Sequence, residues 1–388
     1  MTATGETAQP TVRRRAARGL LPSLRQALEV VWLPWLLARV LVGAALGLSR
    51  YELSHLGITS TKAITVSHQG LLSWDASWYT QIAAGGYHSV PREGLRFFPL
   101  YPEVLGALHG LTRAPLGTLA LVVANLASLA AVMGLYLLCR RELDATAARR
   151  AAWLLCLSPA SFVLAMGYAE GLFLLLTIAA FATLRTKLWW LAAAIGLLAG
   201  LTRPIGLLLV VPALVEVWRT WSSASSRAHV AQVAAIVAPV VGAGAYLAWV
   251  AHAFGDFFLP LRIQTAAGAH GGLSNPFSVL WSAARDLFHG HVGTALHVPW
   301  IALCVVLVVV CFQRLPLSYA LFATAVVLAA VSGHNLDSFE RYALSAVPLV
   351  MAGGSLLRSE RVALPVLIAS SVAMFAYALL AFLGAYVP

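Results

Sequence analysis

The sequence predicts an all-α, polytopic bundle of transmembrane helices. Of its 388 residues, 60% are hydrophobic and 11% are charged, whereas soluble globular domains carry roughly 25% charged residues. Apolar blocks recur along almost the whole chain, and one helical span of the bilayer core needs about 20 mostly apolar residues. These observations exclude an ordinary soluble domain. The net charge of +11 is interpreted as a topology signal, and no nucleic-acid partner is expected.

A basic tail at residues 1–28 precedes a single membrane domain at 29–388 with about eleven predicted spans. The first span, about 29–48, is too long for the core of a signal peptide. No small-residue cleavage pattern follows it, so it is expected to be retained. The other spans are predicted near 116–139, 151–165, 171–184, 188–202, 205–218, 230–251, 299–313, 316–332, 342–357 and 362–386.

The distribution of basic residues orients these spans, because loops kept in the cytoplasm carry excess Lys and Arg. With the tail placed inside, the inner segments hold 16 of the 26 Lys and Arg residues and the outer segments hold nine. The outer loops are then 49–115, 252–298 and 332–341, and they hold ten of the eleven histidines. We therefore expect a cytoplasmic N-terminus and chemistry on the outer face.

Two short helices are expected in the first outer loop. Trp74, Trp78 and Ile82 share one helical face, and Gly85 would end that helix. Asp75 at its start has two interpretations, a helix N-cap or a carboxylate held above the membrane as a general base. The apolar segment 97–111 is too short to span, and spanning would invert every later loop, so it predicts an interfacial or re-entrant helix packed on the bundle.

Ionisable residues also gather in the later outer turns. Glu170 is either a solvated loop residue or an acid at a helix start, where its charge is favourable. Arg203 either extends to the interface or offers a guanidinium to a phosphate beside a helix start. Glu340 and Arg341 form either a surface ion pair of little consequence or, with His334, part of a site.

Five sequence stretches at these outer turns form a pattern when they are taken together and in order. They are Trp74-Asp75 with Ile82-Ala83-Ala84-Gly85-Gly86-Tyr87, Phe97-Phe98-Pro99-Leu100-Tyr101-Pro102, Ser158-Pro159 with Tyr168-Ala169-Glu170, Thr202-Arg203-Pro204-Ile205-Gly206, and Glu340-Arg341-Tyr342. In this order they resemble the integral-membrane glycosyltransferases of the GT-C class, most closely the PIG-V-like mannosyltransferases, over about 30–350. The chain departs from that pattern at Ser73, where a basic residue is common, and at Gly171, where Ser is usual.

The resemblance implies a GT-C-like fold and an inverting transfer of mannose from a polyprenyl-phosphate donor, on the outer face, with no nucleotide sugar. A lipid phosphate is already a good leaving group, so a carboxylate base and one or two arginines suffice. Asp75 is assigned as the base, and Arg203 and Arg341 as donor-phosphate contacts. The expected orienting or substrate-binding residues are Trp74, Tyr79, Glu170, His334 and Glu340. Neither a cofactor nor a catalytic metal is expected, since the first outer loop has no Asp-x-Asp pair.

Two alternatives stay open. A transporter or lipid flippase would line a path with Arg39, Glu170 and Arg203, but only Arg39 falls well within a predicted span, whereas transporters place polar groups at mid-membrane in several helices. A GT-C enzyme for another lipid-linked sugar is also compatible with the sequence. The acceptor is a glycan, a lipid or a protein, and membrane lipids surround the chain. The 24 Arg against 2 Lys suggest a GC-rich genome and hence a bacterial plasma membrane.

The predicted topology is testable by labelling single cysteines in a chain that lacks the four native ones. A membrane-impermeant thiol reagent should modify Lys62→Cys in intact cells, because position 62 lies in an outer loop. It should leave Ala145→Cys and Ser223→Cys unmodified until the membrane is permeabilised. The reverse pattern would contradict the orientation and, with it, every residue assigned to the outer face.

Overall fold

The computed structural model describes residues 9–55, 60–266, 297–333 and 338–387, with Leu336 and a few positions between 272 and 285. Regular secondary structure in these ranges is helical, without a β-strand, which confirms the all-α prediction. The helices are α1 (Gln9–His55), α2 (Thr61–Gln69), α3 (Asp75–Gly85), α4 (Leu100–Thr112), α5 (Leu116–Glu142), α6 (Ala145–Leu157), α7 (Glu170–Arg185), α8 (Trp189–Thr202), α9 (Val210–Thr220), α10 (Ser226–Phe254), α11 (Leu259–Gln264), α12 (Val298–Arg314), α13 (Leu317–Val331), α14 (Phe339–Leu344), α15 (Val347–Leu356) and α16 (Glu360–Phe382).

The predicted spans fall on helical segments, and several of these are long enough to cross a bilayer. Five described helices qualify by length and composition, namely Ser23–His55, α5, Pro204–Ser223, α10 and α16. A sixth is a broken pair, Pro159–Ala165 and Glu170–Arg185, bent by 105°. Four further apolar helices, α8, α12, α13 and α15, have only 10–17 residues. The chain is thus a multi-pass membrane protein, while the number eleven stays a prediction.

The two helices expected in the first outer loop are present. The first, α3, starts at Asp75 and ends before Gly86, whose φ of +72° suits a residue without a side chain. The second, α4, covers most of the apolar segment 97–111 and packs on α3, α5 and α8. Its Tyr101 and Leu105 are fully buried. This packing confirms that the segment belongs to the bundle.

Within the described ranges, no ion pair joins an outer loop to a segment that the charge distribution placed inside. At one end of the bundle, Arg185 lies 3.0 Å from Glu142 and 3.3 Å from Glu216. Glu170 starts the same helix, α7, at the opposite end. The 16 residues of α7 extend about 24 Å along the helix axis. The bundle therefore has two separate charged ends, and which end faces the cytoplasm stays a prediction.

Small residues bring α8 and α10 into backbone contact. A Cβ on Gly200 of α8 would overlap the carbonyl oxygen of Pro239, and a Cβ on Gly242 of α10 would overlap that of Leu197. Gly196 and Gly200 have the GxxxG spacing that lets membrane helices approach closely. The same helix also packs on α7, and Arg203, directly after α8, lies beside Glu170 at the start of α7.

The close approach of α8 and α10 predicts that replacing two glycines by alanine has different effects on stability. Gly200→Ala should destabilise the protein by about 1–3 kcal/mol, because the new methyl group meets backbone that cannot rotate away. Gly244→Ala, in α10, is the matched control, since nothing lies within 4 Å of its added Cβ. Alanine has the higher helix propensity, so this control should be neutral or slightly stabilising. Thermal unfolding in detergent measures both, and equal midpoints would contradict the packing.

Candidate active site

Four charged side chains meet at one end of the bundle, and we call them the charge quartet (Asp75, Glu170, Arg203 and Arg341). Arg341 binds Asp75 Oδ2 and lies 3.5 Å from Glu170 Oε1. Arg203 Nη1 donates to the same Oε1 at 2.6 Å. Asp75 keeps 18% of its side chain exposed, whereas the other three keep less than 10%. Two cations and two anions balance, which makes their burial tolerable.

This geometry decides between the interpretations left open for three of the four residues. Asp75 is the first residue of α3, the N-cap position belongs to Trp74, and no side chain caps the helix. The N-cap interpretation of Asp75 is therefore wrong. Glu170 is not a solvated loop residue, because only 3% of it is exposed at the start of α7. Arg203 does not extend to the interface, because it is buried against Glu170.

Two strained backbone positions lie directly before the helices that carry Asp75 and Arg341. Trp74 and Ser338 have φ of +56° and +65° and lie directly before α3 and α14. Such values are uncommon for residues other than glycine and cost about 1–3 kcal/mol each. Trp74 Nε1 donates to the carbonyl of Ala381 at 3.1 Å, and Ser338 Oγ donates to that of Val387 at 3.1 Å. The C-terminal segment therefore holds both turns that present the quartet.

Aromatic rings surround the two guanidiniums. The ring of Tyr342 lies 5.6 Å from Cζ of both Arg203 and Arg341. The ring of Tyr168 lies 5.8 Å from Cζ of Arg341, and its hydroxyl accepts a hydrogen bond from the backbone N–H of Asp75 at 3.3 Å. Cation–π contacts of this kind favour the charged arginines where water is excluded.

Tyr79, predicted as a substrate-binding residue, belongs to the wall beside the quartet. It is 4% exposed and packs edge-on against Phe97 and Tyr101, with ring centroids 5.1 and 4.9 Å apart. Burial, and then the negative charges of Glu170 and Asp75, raise the pKa of Tyr79 well above its ordinary value. Its hydroxyl therefore stays protonated and remains a hydrogen-bond donor at neutral pH.

Glu340 points away from the quartet into a second buried polar group, the Glu340 network (His297, Trp300, Glu340, Tyr377 and Tyr386). His297 Nδ1 lies 2.8 Å from Glu340 Oε1. The hydroxyls of Tyr377 and Tyr386 donate to Glu340 at 3.3 and 3.0 Å, and Trp300 Nε1 donates to the Tyr377 hydroxyl at 2.8 Å.

The interpretation of Glu340 and Arg341 as a surface ion pair is wrong, because both are 6% exposed and have different partners. His334, the third residue expected near them, lies outside the described residues. Sequence reasoning did not find His297, Tyr377 or Tyr386. The two tyrosines looked like ordinary members of the last apolar span, and no spacing signal links them to position 340.

An apolar cavity of about 340 Å³ lies between α6, α12, α14, α15 and α16. Glu340 is the only charged residue among its described lining residues, which include Trp300, Phe339, Leu349 and Val350. The cavity therefore borders the short helix that carries Arg341.

The described site consists of the charge quartet, the Glu340 network and an apolar cavity, so the question of a metal ion turns on other ligands. In the part of the chain that the structure describes, no group of three His, Cys, Asp or Glu side chains is placed to hold a metal ion. His289 and His291, two of the outer-loop histidines and possible metal ligands by residue type, lie outside the described residues. Independence from a metal thus stays a prediction.

Among solved structures, the chain is similar to the oligosaccharyltransferase of Archaeoglobus fulgidus. The complex of that enzyme with an inhibitory peptide and a dolichol-phosphate aligns at 13% identity and a TM-score of 0.45, over 80% of this chain and 51% of that chain. The complex tethered to an acceptor peptide aligns at 12% identity and a TM-score of 0.44, over 93% and 55%.

Curated relatives are similar over a shorter stretch. GPI alpha-1,6-mannosyltransferase 2 of Rattus norvegicus is 36% identical over an alignment 157 residues long, which covers 36% of this chain and 30% of that protein. The enzyme of the same name from Homo sapiens is 36% identical over 135 residues, or 31% and 26%. The chain thus matches less than a third of the length of these relatives.

A family model matches a longer stretch of the sequence than these two relatives do. The model described as Mannosyltransferase (PIG-V) matches residues 44–239, just over half of the 388 residues. The matched stretch includes Asp75, Glu170 and Arg203, whereas Arg341 lies beyond it. The chain belongs to the mannosyltransferase (PIG-V) family.

Proposed function

We propose that this chain transfers mannose from a polyprenyl-phosphate donor to an acceptor hydroxyl on the outer face of the membrane, with inversion at the sugar carbon. One observation carries the proposal: the charge quartet joins a partly exposed carboxylate to two buried guanidiniums. Family membership supports mannose as the sugar, because the similar proteins of rat and human are named mannosyltransferases.

The two arginines suit the donor phosphate. Burial alone disfavours the charge on Arg341, but Asp75 and Glu170 outweigh burial and raise its pKa well above the ordinary value. Arg341 Nε and Glu170 Oε2 are buried without a hydrogen-bond partner in the described part of the chain, and the ion pairs of both arginines run through Nη1. Arg341 thus has an N–H donor left for a phosphate oxygen while its ion pairs persist.

Asp75 suits the role of base. It is the most exposed member of the quartet, so an acceptor hydroxyl can approach it. A direct displacement at the sugar carbon needs a base on the acceptor side and charge stabilisation on the phosphate side. Glu170 lies between the two arginines and acts as a positioning residue for both. Trp74 presents Asp75, and Tyr79 lines the wall of the site.

The apolar cavity suits the polyprenyl chain. An isoprenoid tail offers no hydrogen bonds and gains free energy by leaving water or by filling apolar space. The cavity of about 340 Å³ borders α14, so a tail lodged there would bring its phosphate toward Arg341. The names of the relatives suggest a membrane-anchored glycan as acceptor. The Arg-rich composition favours a bacterial plasma membrane.

The rival transporter function is weaker. Arg39, the one charge deep in a predicted span, is bonded to Asn125 Oδ1 at 2.9 Å, to Ser128 Oγ at 2.5 Å and to the carbonyl of Leu164 at 2.9 Å. A guanidinium occupied in this way ties α1 to α5 and does not line a path.

The alternative that the enzyme transfers another lipid-linked sugar needs a direct test. Purified protein in lipid is offered a panel of radiolabelled polyprenyl-phosphate sugars, and the sugar that leaves its carrier is identified.

Replacing Asp75 tests the base. Asp75→Asn keeps the size of the side chain but removes the affinity for the acceptor proton and the charge opposite Arg341. We expect transfer of radiolabelled mannose from the lipid-linked donor to fall by at least about 100-fold. Membrane insertion should be unchanged.

Glu103→Gln is the matched control, since Glu103 is an exposed carboxylate in the same outer loop and should keep the wild-type rate. An Asp75→Asn protein that kept more than about a tenth of the wild-type rate would reject Asp75 as the base. The search would then move to Glu170.

Replacing the arginines tests the phosphate contacts. Arg203→Lys and Arg341→Lys keep the charge but lose the planar set of donors, so each should lower kcat/KM for the donor by about 10- to 100-fold. The exposed Arg92 gives the control Arg92→Lys, which should behave as wild type. Wild-type kinetics for both buried variants would exclude the proposed contacts.

A further inference from the structure

We propose that the Glu340 network positions Arg341 for the transfer, with His297, Tyr377 and Tyr386 acting through Glu340. This inference rests on the proposed function, because that function gives Arg341 its phosphate. Glu340 itself is a positioning residue. Three groups bond to its two carboxylate oxygens and only 4% of its side chain is exposed, so an acceptor cannot reach it.

The helix that carries Glu340 and Arg341, α14, is short. This helix has six residues, and a helix that short does not hold itself in place in isolation, since nucleation is costly and few backbone bonds repay it. Its rotation must be set by side chains that reach other elements. Glu340 and Arg341 are consecutive, about 100° apart around the helix axis. One therefore faces the network while the other faces the quartet.

The network connects α14 to three other parts of the chain. His297 directly precedes α12, Tyr377 lies in α16, and Tyr386 follows α16. Ser338, just before α14, adds a bond to Val387. These contacts hold one side of α14, and the ion pairs of Arg341 hold the other. Removing a network contact frees α14 to rotate, and a guanidinium on its surface moves with it.

The network also reaches the cavity proposed for the lipid tail. Trp300 and Glu340 both line that cavity, and Trp300 Nε1 donates to the Tyr377 hydroxyl that bonds to Glu340. The cavity wall and the support of Arg341 are therefore one connected set of side chains.

Tyr386→Phe removes a single buried hydroxyl, and Glu340→Gln removes the buried charge at nearly constant volume. Each should lower kcat/KM for the polyprenyl-phosphate mannose donor by about tenfold, because a hydrogen bond to a charged group is lost. In an Arg341→Lys background the same two changes should cost less than about twofold, since residues that act through Arg341 are not additive with it. A merely structural role would give equal factors in both backgrounds.

A control separates this effect from loss of any buried hydroxyl. Tyr319 is fully buried, and its hydroxyl has no hydrogen-bond partner among the described residues. Its negative neighbours, Glu142 and Glu216, belong to the opposite end of the bundle. Tyr319→Phe should therefore keep wild-type transfer.

A second readout does not depend on transfer. Phenylglyoxal modifies accessible arginines, and mass spectrometry of the peptide that contains Arg341 measures the rate. Tyr386→Phe and Glu340→Gln should raise that rate by at least about threefold, because local opening exposes the guanidinium, whereas Tyr319→Phe should leave it unchanged.

Two results would overturn the proposal. One is an equal loss of kcat/KM in the wild-type and Arg341→Lys backgrounds, and the other is an unchanged modification rate in both network variants. A wild-type protein that transfers no mannose would instead reject the proposed function, and the modification rates would still decide the network.

Discussion

The burial of Arg341 is the constraint on which the rest of this end of the molecule depends. A guanidinium with 7% of its side chain exposed needs carboxylates close by, and removing one partner of a buried pair typically costs about 3–5 kcal/mol. Asp75 and Glu170 supply those charges from α3 and α7, and Arg203 balances the second one. Between membrane helices, apolar contacts select weakly, because lipid is as apolar as leucine. Charges and close glycine contacts therefore specify which helices meet.

The two charged ends of the bundle differ in what they permit. At the end away from the quartet, Arg185 joins Glu142 and Glu216, and Ser318 donates to Glu216 at 2.6 Å. These contacts tie α5, α7, α9 and α13 together. The quartet end combines a partly exposed carboxylate with an adjacent apolar cavity. The partly exposed carboxylate and the ion pairs of Arg185 thus lie at opposite ends of the bundle.

Helix positions and the grouping of site residues on one face followed from the sequence, because apolar periodicity, glycine stops and charge asymmetry are local signals. The sequence predicted, for example, that a helix begins near Asp75 and that Glu170 lies in a turn on the same side as Asp75. The partners of each side chain did not follow. They depend on positive φ values at Trp74 and Ser338, and the bond from Trp74 spans 307 positions of sequence. The role of Tyr386 was hidden for the same reason, since an aromatic residue in an apolar span carries no sign of a distant carboxylate.

The sequence separations within the quartet also set an order of assembly during synthesis. Glu170 and Arg203 are 33 residues apart, at the start of α7 and directly after α8, so they meet early. Asp75 and Arg341 are 266 residues apart, a delay of about 13–50 s at ordinary ribosome speeds of about 5–20 residues per second. Arg203 precedes Arg341 by 138 residues, or about 7–28 s at the same speeds, and for that time the chain holds two carboxylates and one guanidinium at this end. Arg341 is the last member of the quartet to be translated, so a nascent chain lacks one of the two guanidiniums until α14 has been made.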